Sequence, residues 1–288
     1  MSLSLRKSVL AVCMMFPVAG LAQTGAVLRN TVENFAEDNQ FFDAQESYVT
    51  VTKVTGDRMR TDQQSMDGRL TTSAIFLGET DQMYMIDHDK KTYMVMDKAQ
   101  IDAMAQQMSA AMQQMQEALA QVPPEQREMM ERMMKGRMQT ENYEPPAPQV
   151  VTDLGESGSV NGVACQWKQL TRDGQLESKV CVSDENAIAG GKEMVALAHE
   201  MREFAEGLTQ MASSVSSMPM LGGGTAQDAW VGMTADVGGF AIVAEDYDGE
   251  GKLMRRSTFE SADQVAIPDE EFNPPSGYER QTMEGLRR

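Results

Sequence analysis

The sequence predicts an α+β protein: a single curved antiparallel sheet with helices packed on one side of it. Two observations predict this. Runs rich in β-branched and aromatic residues alternate apolar with polar and recur about every ten residues, divided by turn pairs such as Gly56-Asp57, Asp67-Gly68 and Asp173-Gly174. Between those runs, methionine and leucine recur at steps of three and four, the spacing of one apolar stripe on a helix. The order is strands, helices, strands, helix, strands. It lacks the strict strand–helix alternation of a doubly wound parallel sheet.

The chain opens with Arg6 and Lys7, then an apolar run from Val9 to Val18 broken only by Pro17, then Ala19-Gly20-Leu21-Ala22. That order is a secretory signal peptide cut before Gln23, and the run is too short to span a bilayer. Cys13 is not read as a lipidation site, because Val12 stands where a small residue is needed and the apolar run continues past it. The expected organisation is residues 1–22 as signal peptide and 23–288 as one domain, with Met-rich helical insertions at about 98–140 and 190–213. The expected compartment is the periplasm.

Residues 23–40 are polar and weakly patterned. Strands are predicted at Ser47–Thr52, Arg58–Gln64, Leu70–Leu77, Gln82–Ile86 and Thr92–Met96, joined as a meander. Ile101, Met104, Met108, Met112, Met115 and Leu119 then form one helix stripe, ended by Pro123-Pro124. A second helix carries Met129 to Met138. Strands resume at Val150–Leu154, Gly162–Leu170 and Gln175–Val182. A third helix over about 191–212 has the stripe Met194, Leu197, Met201, Phe204, Leu208 and Met211. Phe240–Glu245 and Leu253–Glu260 make a last hairpin. The apolar stripes need a partner surface, which places the helices on the concave face of the sheet.

Asp and Glu number 43 against 25 Lys and Arg, for a net charge of −18. Such a chain repels nucleic acid and anionic headgroups. After the signal peptide the cysteines are Cys165 and Cys181, and an isolated pair in an exported protein predicts a disulfide. A three-residue turn centred on Asp173 would set them directly opposite each other.

Three stretches carry a family resemblance. They are Lys53-Val54-Thr55-Gly56-Asp57-Arg58-Met59-Arg60-Thr61-Asp62, Met85-Ile86-Asp87-His88-Asp89-Lys90-Lys91-Thr92-Tyr93, and Ile267-Pro268-Asp269-Glu270-Glu271-Phe272-Asn273-Pro274-Pro275-Ser276-Gly277-Tyr278. With Gly162-Val163-Ala164-Cys165, they resemble an uncharacterised family of exported bacterial proteins related to the periplasmic lipoprotein carriers, LolA and LolB. The resemblance implies a LolA-like half-open antiparallel β-barrel, its concave face covered by helices around a cavity that in the carriers holds acyl chains. No carrier-specific arginine is matched.

Methionine is the unusual residue, at 26 in the chain. Its stripes fit core packing, an adaptable surface for a lipid-like ligand or an envelope protein, or Cu(I) binding and oxidant buffering through thioethers. The candidate cavity or lid residues are Met104, Met108, Met112, Met115, Met194, Met201, Phe204 and Met211. His88, in a turn between Asp87 and Asp89, and His199 on a helix read as solvated, since neither has partners nearby in sequence. Asp246-Tyr247-Asp248-Gly249-Glu250 lacks the twelfth-position acid of a calcium loop and reads as a hairpin turn. Gly222-Gly223-Gly224 has no following Lys-Ser/Thr, so no phosphate loop is expected. The expectation is a non-enzymatic binding protein without a cofactor, a metal site or a membrane span.

Overall fold

Period-two alternation in the sequence becomes a single sheet. The structure, a computed structural model, describes residues 23–35, 46–97, 147–201 and 237–281. Its strands are β1 Gln23–Asn34, β2 Tyr48–Thr55, β3 Arg58–Ser65, β4 Leu70–Leu77, β5 Gln82–Asp87, β6 Thr92–Asp97, β7 Val150–Val160, β8 Val163–Arg172, β9 Gln175–Ser183, β10 Phe240–Tyr247, β11 Leu253–Ile267 and β12 Glu279–Arg280. They form one 12-stranded sheet in the order β12-β6-β5-β4-β3-β2-β1-β11-β10-β9-β8-β7. All pairings are antiparallel except β12 on β6. β1 stands in the middle, with β2 on one side and β11 on the other.

The expected α+β fold, a LolA-like half-open barrel with helices over its concave face, is therefore corrected. The protein is an open, mostly antiparallel sheet with one helix, α1, among the described residues, over 191–201. The physical reason is the length of the strands. β1 and β11 hydrogen-bond along their whole lengths and join the two meanders into one surface, so strand–strand contacts dominate the fold. The helical insertion expected at 98–140 lies outside the described residues, as does the part of the 190–213 insertion beyond 201.

Residues on alternate positions bury on opposite faces. On one face Ala26, Leu28, Val54, Met59, Phe76, Met83 and Met96 join Met194, Leu197 and Met201 of α1 in the largest apolar cluster. The helix approaches closely because residue 190 is glycine: a Cβ there would lie 2.5 Å from Cβ of Ala26, and its φ of +76° suits glycine. On the other face Ile75, Ile86, Ile267 and Phe272 form a second cluster. Cross-strand ion pairs brace β10 on β11, next to the central strand, with Arg255–Asp246 at 2.6 Å and Arg256–Glu245 at 2.8 Å, each between residues directly opposite in the ladder. The outer strand β7 exposes Val150 and Val151, and is blunted by Asp153, Glu156 and a register shift between Asp153 and Ser157.

Cys165 and Cys181 form a disulfide, with Cα atoms 5.3 Å apart. The expected directly opposed register is corrected. The hairpin closes on Arg172↔Gln175, a two-residue turn, and the register shifts between Leu170 and Thr171. Cys181 consequently faces Trp167, and the bridge runs diagonally. Gly158 of β7 is opposite Cys165, and its missing side chain leaves room for both sulfurs.

Candidate functional site

Two constellations stand on opposite faces of the β2–β6 meander. The first is the methionine-rich face. β3, β5 and β6 contribute Met59, Met83 and Met96, and α1 contributes Met194 and Met201. Met201 is 1% exposed and Met194 4%. Of the residues predicted for a cavity or lid, these two are placed together. Met104, Met108, Met112, Met115, Phe204 and Met211 lie outside the described residues. His199 on the same helix is exposed, as expected.

The second constellation was not expected from the sequence. After β11 the chain turns at Ile267-Pro268, forms a 3-10 turn over Asp269–Phe272, and continues to β12 at the far edge of the sheet. This C-terminal strap covers the second face. Phe272 inserts its buried ring beside Ile75, Ile86 and Ile267, with the Arg58 guanidinium 4.8 Å above it. Lys53 binds Glu271 at 2.6 Å, and Arg58 binds Asp269 at 3.1 Å.

Beneath the strap, alternation brings polar side chains of β2, β3 and β4 to this face, where Arg60, Asp62 and Ser73 are buried. Charges and hydroxyls at such depth persist only when partnered. Arg60 Nε donates to Asp62 Oδ1 at 2.7 Å, and Arg60 Nη1 to the Glu271 carbonyl at 3.0 Å. The Ser73 hydroxyl donates to the same Asp62 oxygen at 2.5 Å. His88 Nε2 lies 2.7 Å from Ser73 Oγ, and Nδ1 lies 2.9 Å from the Tyr278 hydroxyl. Because the one Ser73 proton is committed to Asp62, His88 carries its proton on Nε2 and accepts from Tyr278 on Nδ1. The relay therefore runs Tyr278 → His88 → Ser73 → Asp62, ending on a carboxylate held by Arg60.

The solvated reading of His88 is thus corrected: its ring is half-buried and bonded at both nitrogens. Burial, then the Arg60 guanidinium, lowers its pKa below the usual histidine value, against the opposing pull of Asp62, Asp87 and Asp89. Nothing local in the sequence signals this, since Tyr278 is 190 residues away. A signal did exist at longer range. Lys53, Arg58, Arg60 and Asp62 come from the first stretch of the family resemblance, His88 from the second, and Glu271, Phe272 and Tyr278 from the third. The three stretches meet at this one place.

No helix among the described residues is long and apolar enough to cross a membrane. No family model matches the chain. No curated protein matches it either. Among solved structures, an uncharacterized conserved protein from Thermus thermophilus is similar over 90% of this chain and 90% of its own, at 3% identity and a TM-score of 0.42. Crystal structures of PNGF-II in C2 and P21 space groups are similar at 6% identity, with TM-scores of 0.37 and 0.36. They match over 92% of this chain but only 32% of the PNGF-II chain. At these TM-scores the likeness defines neither a family nor an activity.

Proposed function

We propose that the chain is an exported, periplasmic, non-enzymatic protein that binds a hydrophobic, lipid-like ligand or an envelope protein against its methionine-rich face. The observation that carries this reading is the convergence of Met59, Met83 and Met96 of the sheet with Met194 and Met201 of α1 in one cluster. Methionine is unbranched and polarizable, so a face built from it repacks around differing apolar shapes at small cost. The disulfide supports an oxidising compartment.

The test is mass spectrometry of organic extracts from protein purified without detergent, together with uptake of a fluorescent fatty acid. Stoichiometric lipid, or saturable uptake that weakens in Met194→Ala and Met201→Ala, supports the proposal. Protein that carries no lipid, takes up no probe and captures no envelope protein overturns it. Stoichiometric Cu(I), abolished when Met104, Met108 and Met112 are all changed to leucine, would replace it with thioether metal binding.

A further inference from the structure

The two ends of the C-terminal strap are held by different chemistry. The proximal end, Asp269–Phe272, is fixed by the Lys53–Glu271 and Arg58–Asp269 ion pairs, by Arg60 on the Glu271 carbonyl, and by the buried Phe272 ring. The distal end has far less. β12 contributes only Glu279 and Arg280, opposite Thr92 and Tyr93, with the Glu279 amide on the Lys91 carbonyl and the Gln281 amide on the Tyr93 carbonyl. Beside them stands the Tyr278–His88 contact, hydroxyl to Nδ1 at 2.9 Å with the rings edge-on and 5.5 Å apart. Pro274 and Pro275 lie between the two ends.

We infer that the distal end of the strap, residues 276–281, is an acid-released latch, closed by Tyr278 on neutral His88 and opened when His88 takes up a proton. This is independent of the ligand reading above, because it concerns the opposite face of the meander. The geometry supplies the sensitivity. In the closed state Nδ1 must accept, since Nε2–H is committed to Ser73 and the Ser73 proton to Asp62. A proton on Nδ1 turns that nitrogen into a donor, so Tyr278 keeps the contact only by turning its own O–H away and accepting. The proton also places a second cation close to the Arg60 guanidinium, which touches Ser73 Oγ through Nη2 at 3.4 Å.

The charged groups around His88 do not rescue the cation. Asp62 of β3 is engaged by Arg60 at 2.7 Å and lies 3.8 Å from Lys53 of β2. Asp87, in the histidine's own turn, is paired with Lys90 at 2.7 Å, and Asp89 with Arg69 at 2.6 Å. Tyr278 is the strap's own contribution. Each carboxylate that could stabilise an imidazolium is already matched by a cation. None of the proximal contacts, Lys53 with Glu271, Arg58 with Asp269, Arg60 on the Glu271 carbonyl and the buried Phe272 ring, involves His88. Mild acid therefore loosens the distal end while the proximal end stays fixed, and bares the edge of β6.

Hydrogen exchange resolved to single amides tests this on the full protein, with rates corrected for the intrinsic pH dependence. Between pH 7.5 and pH 5.5, protection of the Glu279 and Gln281 amides is expected to fall severalfold, up to about tenfold, the most that one proton on a histidine can do over this range. The Glu271 and Asn273 amides, bonded to Pro268 and Glu270 carbonyls, are expected to change little. His88→Gln should abolish the acid step. Tyr278→Phe, which keeps the ring, should leave the distal amides weakly protected at both pH values. Wild-type protein whose distal and proximal amides respond alike overturns the latch. So does an acid step of wild-type size in Tyr278→Phe, a variant that tests the proposal even where His88→Gln does not fold.

Discussion

At Gly158 of β7, a Cβ would sit 3.0 Å from Sγ of Cys181, 3.1 Å from Nε1 of Trp167 and 3.3 Å from Sγ of Cys165. Alanine ordinarily improves a strand over glycine by reducing backbone entropy. Here Gly158→Ala is expected to destabilise by about 1–3 kcal/mol through overpacking, measured by urea unfolding. The penalty should shrink when Cys165 and Cys181 are both alanine, so a double-mutant cycle will show coupling. Phe272 makes the opposite case. Its ring is 2% exposed beneath the strap, and Phe272→Ala is expected to cost about 3–5 kcal/mol by leaving a cavity. The chemistry of His88 is hidden from the sequence for a reason that belongs to this scale. Its sequence neighbours are Asp87 and Asp89, whereas the groups that fix its protonation are Ser73 and Tyr278.

At the scale of elements, the disulfide closes a hairpin with its cysteines 16 residues apart. Removing it by Cys165→Ala with Cys181→Ala is expected to lower stability by about 3 kcal/mol in the chain-entropy account, visible as a fall in Tm. Helix α1 gives a sharper comparison. Met201→Ala is expected to cost about 2–5 kcal/mol in a tightly packed face. Met201→Leu should cost less than about 1.5 kcal/mol, because volume and apolarity are kept. A Met201→Ala penalty under about 1 kcal/mol, well below the usual cost of truncating a packed methionine, would show that the face packs loosely, as a ligand surface would. The strands β2 to β6 and β8 to β11 were legible because alternation and turn pairs coincide in them. β1 was not. Ala26, Leu28 and Val32 are buried in the core, but Arg29, Asn30 and Glu33 blur the alternation, and the run reads as polar and weakly patterned. β12 is two residues long and exists only because β6 offers an edge.

Across the whole molecule, the order of strands could not be read from local pattern. Alternation says that a segment is a strand and which residues share a face, not which strand is its neighbour. The sequence therefore predicted one antiparallel sheet but not that β1 stands at its centre, and the apolar helix stripes drew the expectation toward a helix-covered barrel. Stability of the whole protein is linked to the relay. His88 is held below its ordinary pKa in the folded state, so between its unfolded value near 6.5 and its folded value the unfolded chain binds more protons. Its contribution is fully present above about pH 6.5 and declines as pH falls toward the folded pKa. The urea midpoint should drop between pH 7.5 and pH 5.5 in wild-type protein, and by less in His88→Gln. Equal drops in the two proteins would assign the acid sensitivity to the carboxylates instead.

The seam between β1 and β11 has a further consequence, for the order of assembly. Gln23 pairs with Ile267 and Asn34 with Arg255, so the central ladder joins opposite ends of the described chain. The β2–β6 meander, β7–β9 and the β10–β11 pair are built from neighbours in sequence and can zip by short hairpins, whereas β9 meets β10 across residues 184–239. The seam must wait until both sides of the sheet are present and then close a loop of almost the whole polypeptide. Folding is therefore expected to be slow, on the order of milliseconds to seconds or longer, as in other proteins dominated by distant contacts. Until that step, β1 offers a bare apolar edge, Ala26 and Leu28 among its residues, to any neighbouring chain. The interval before the ends meet is when this protein is most exposed to aggregation.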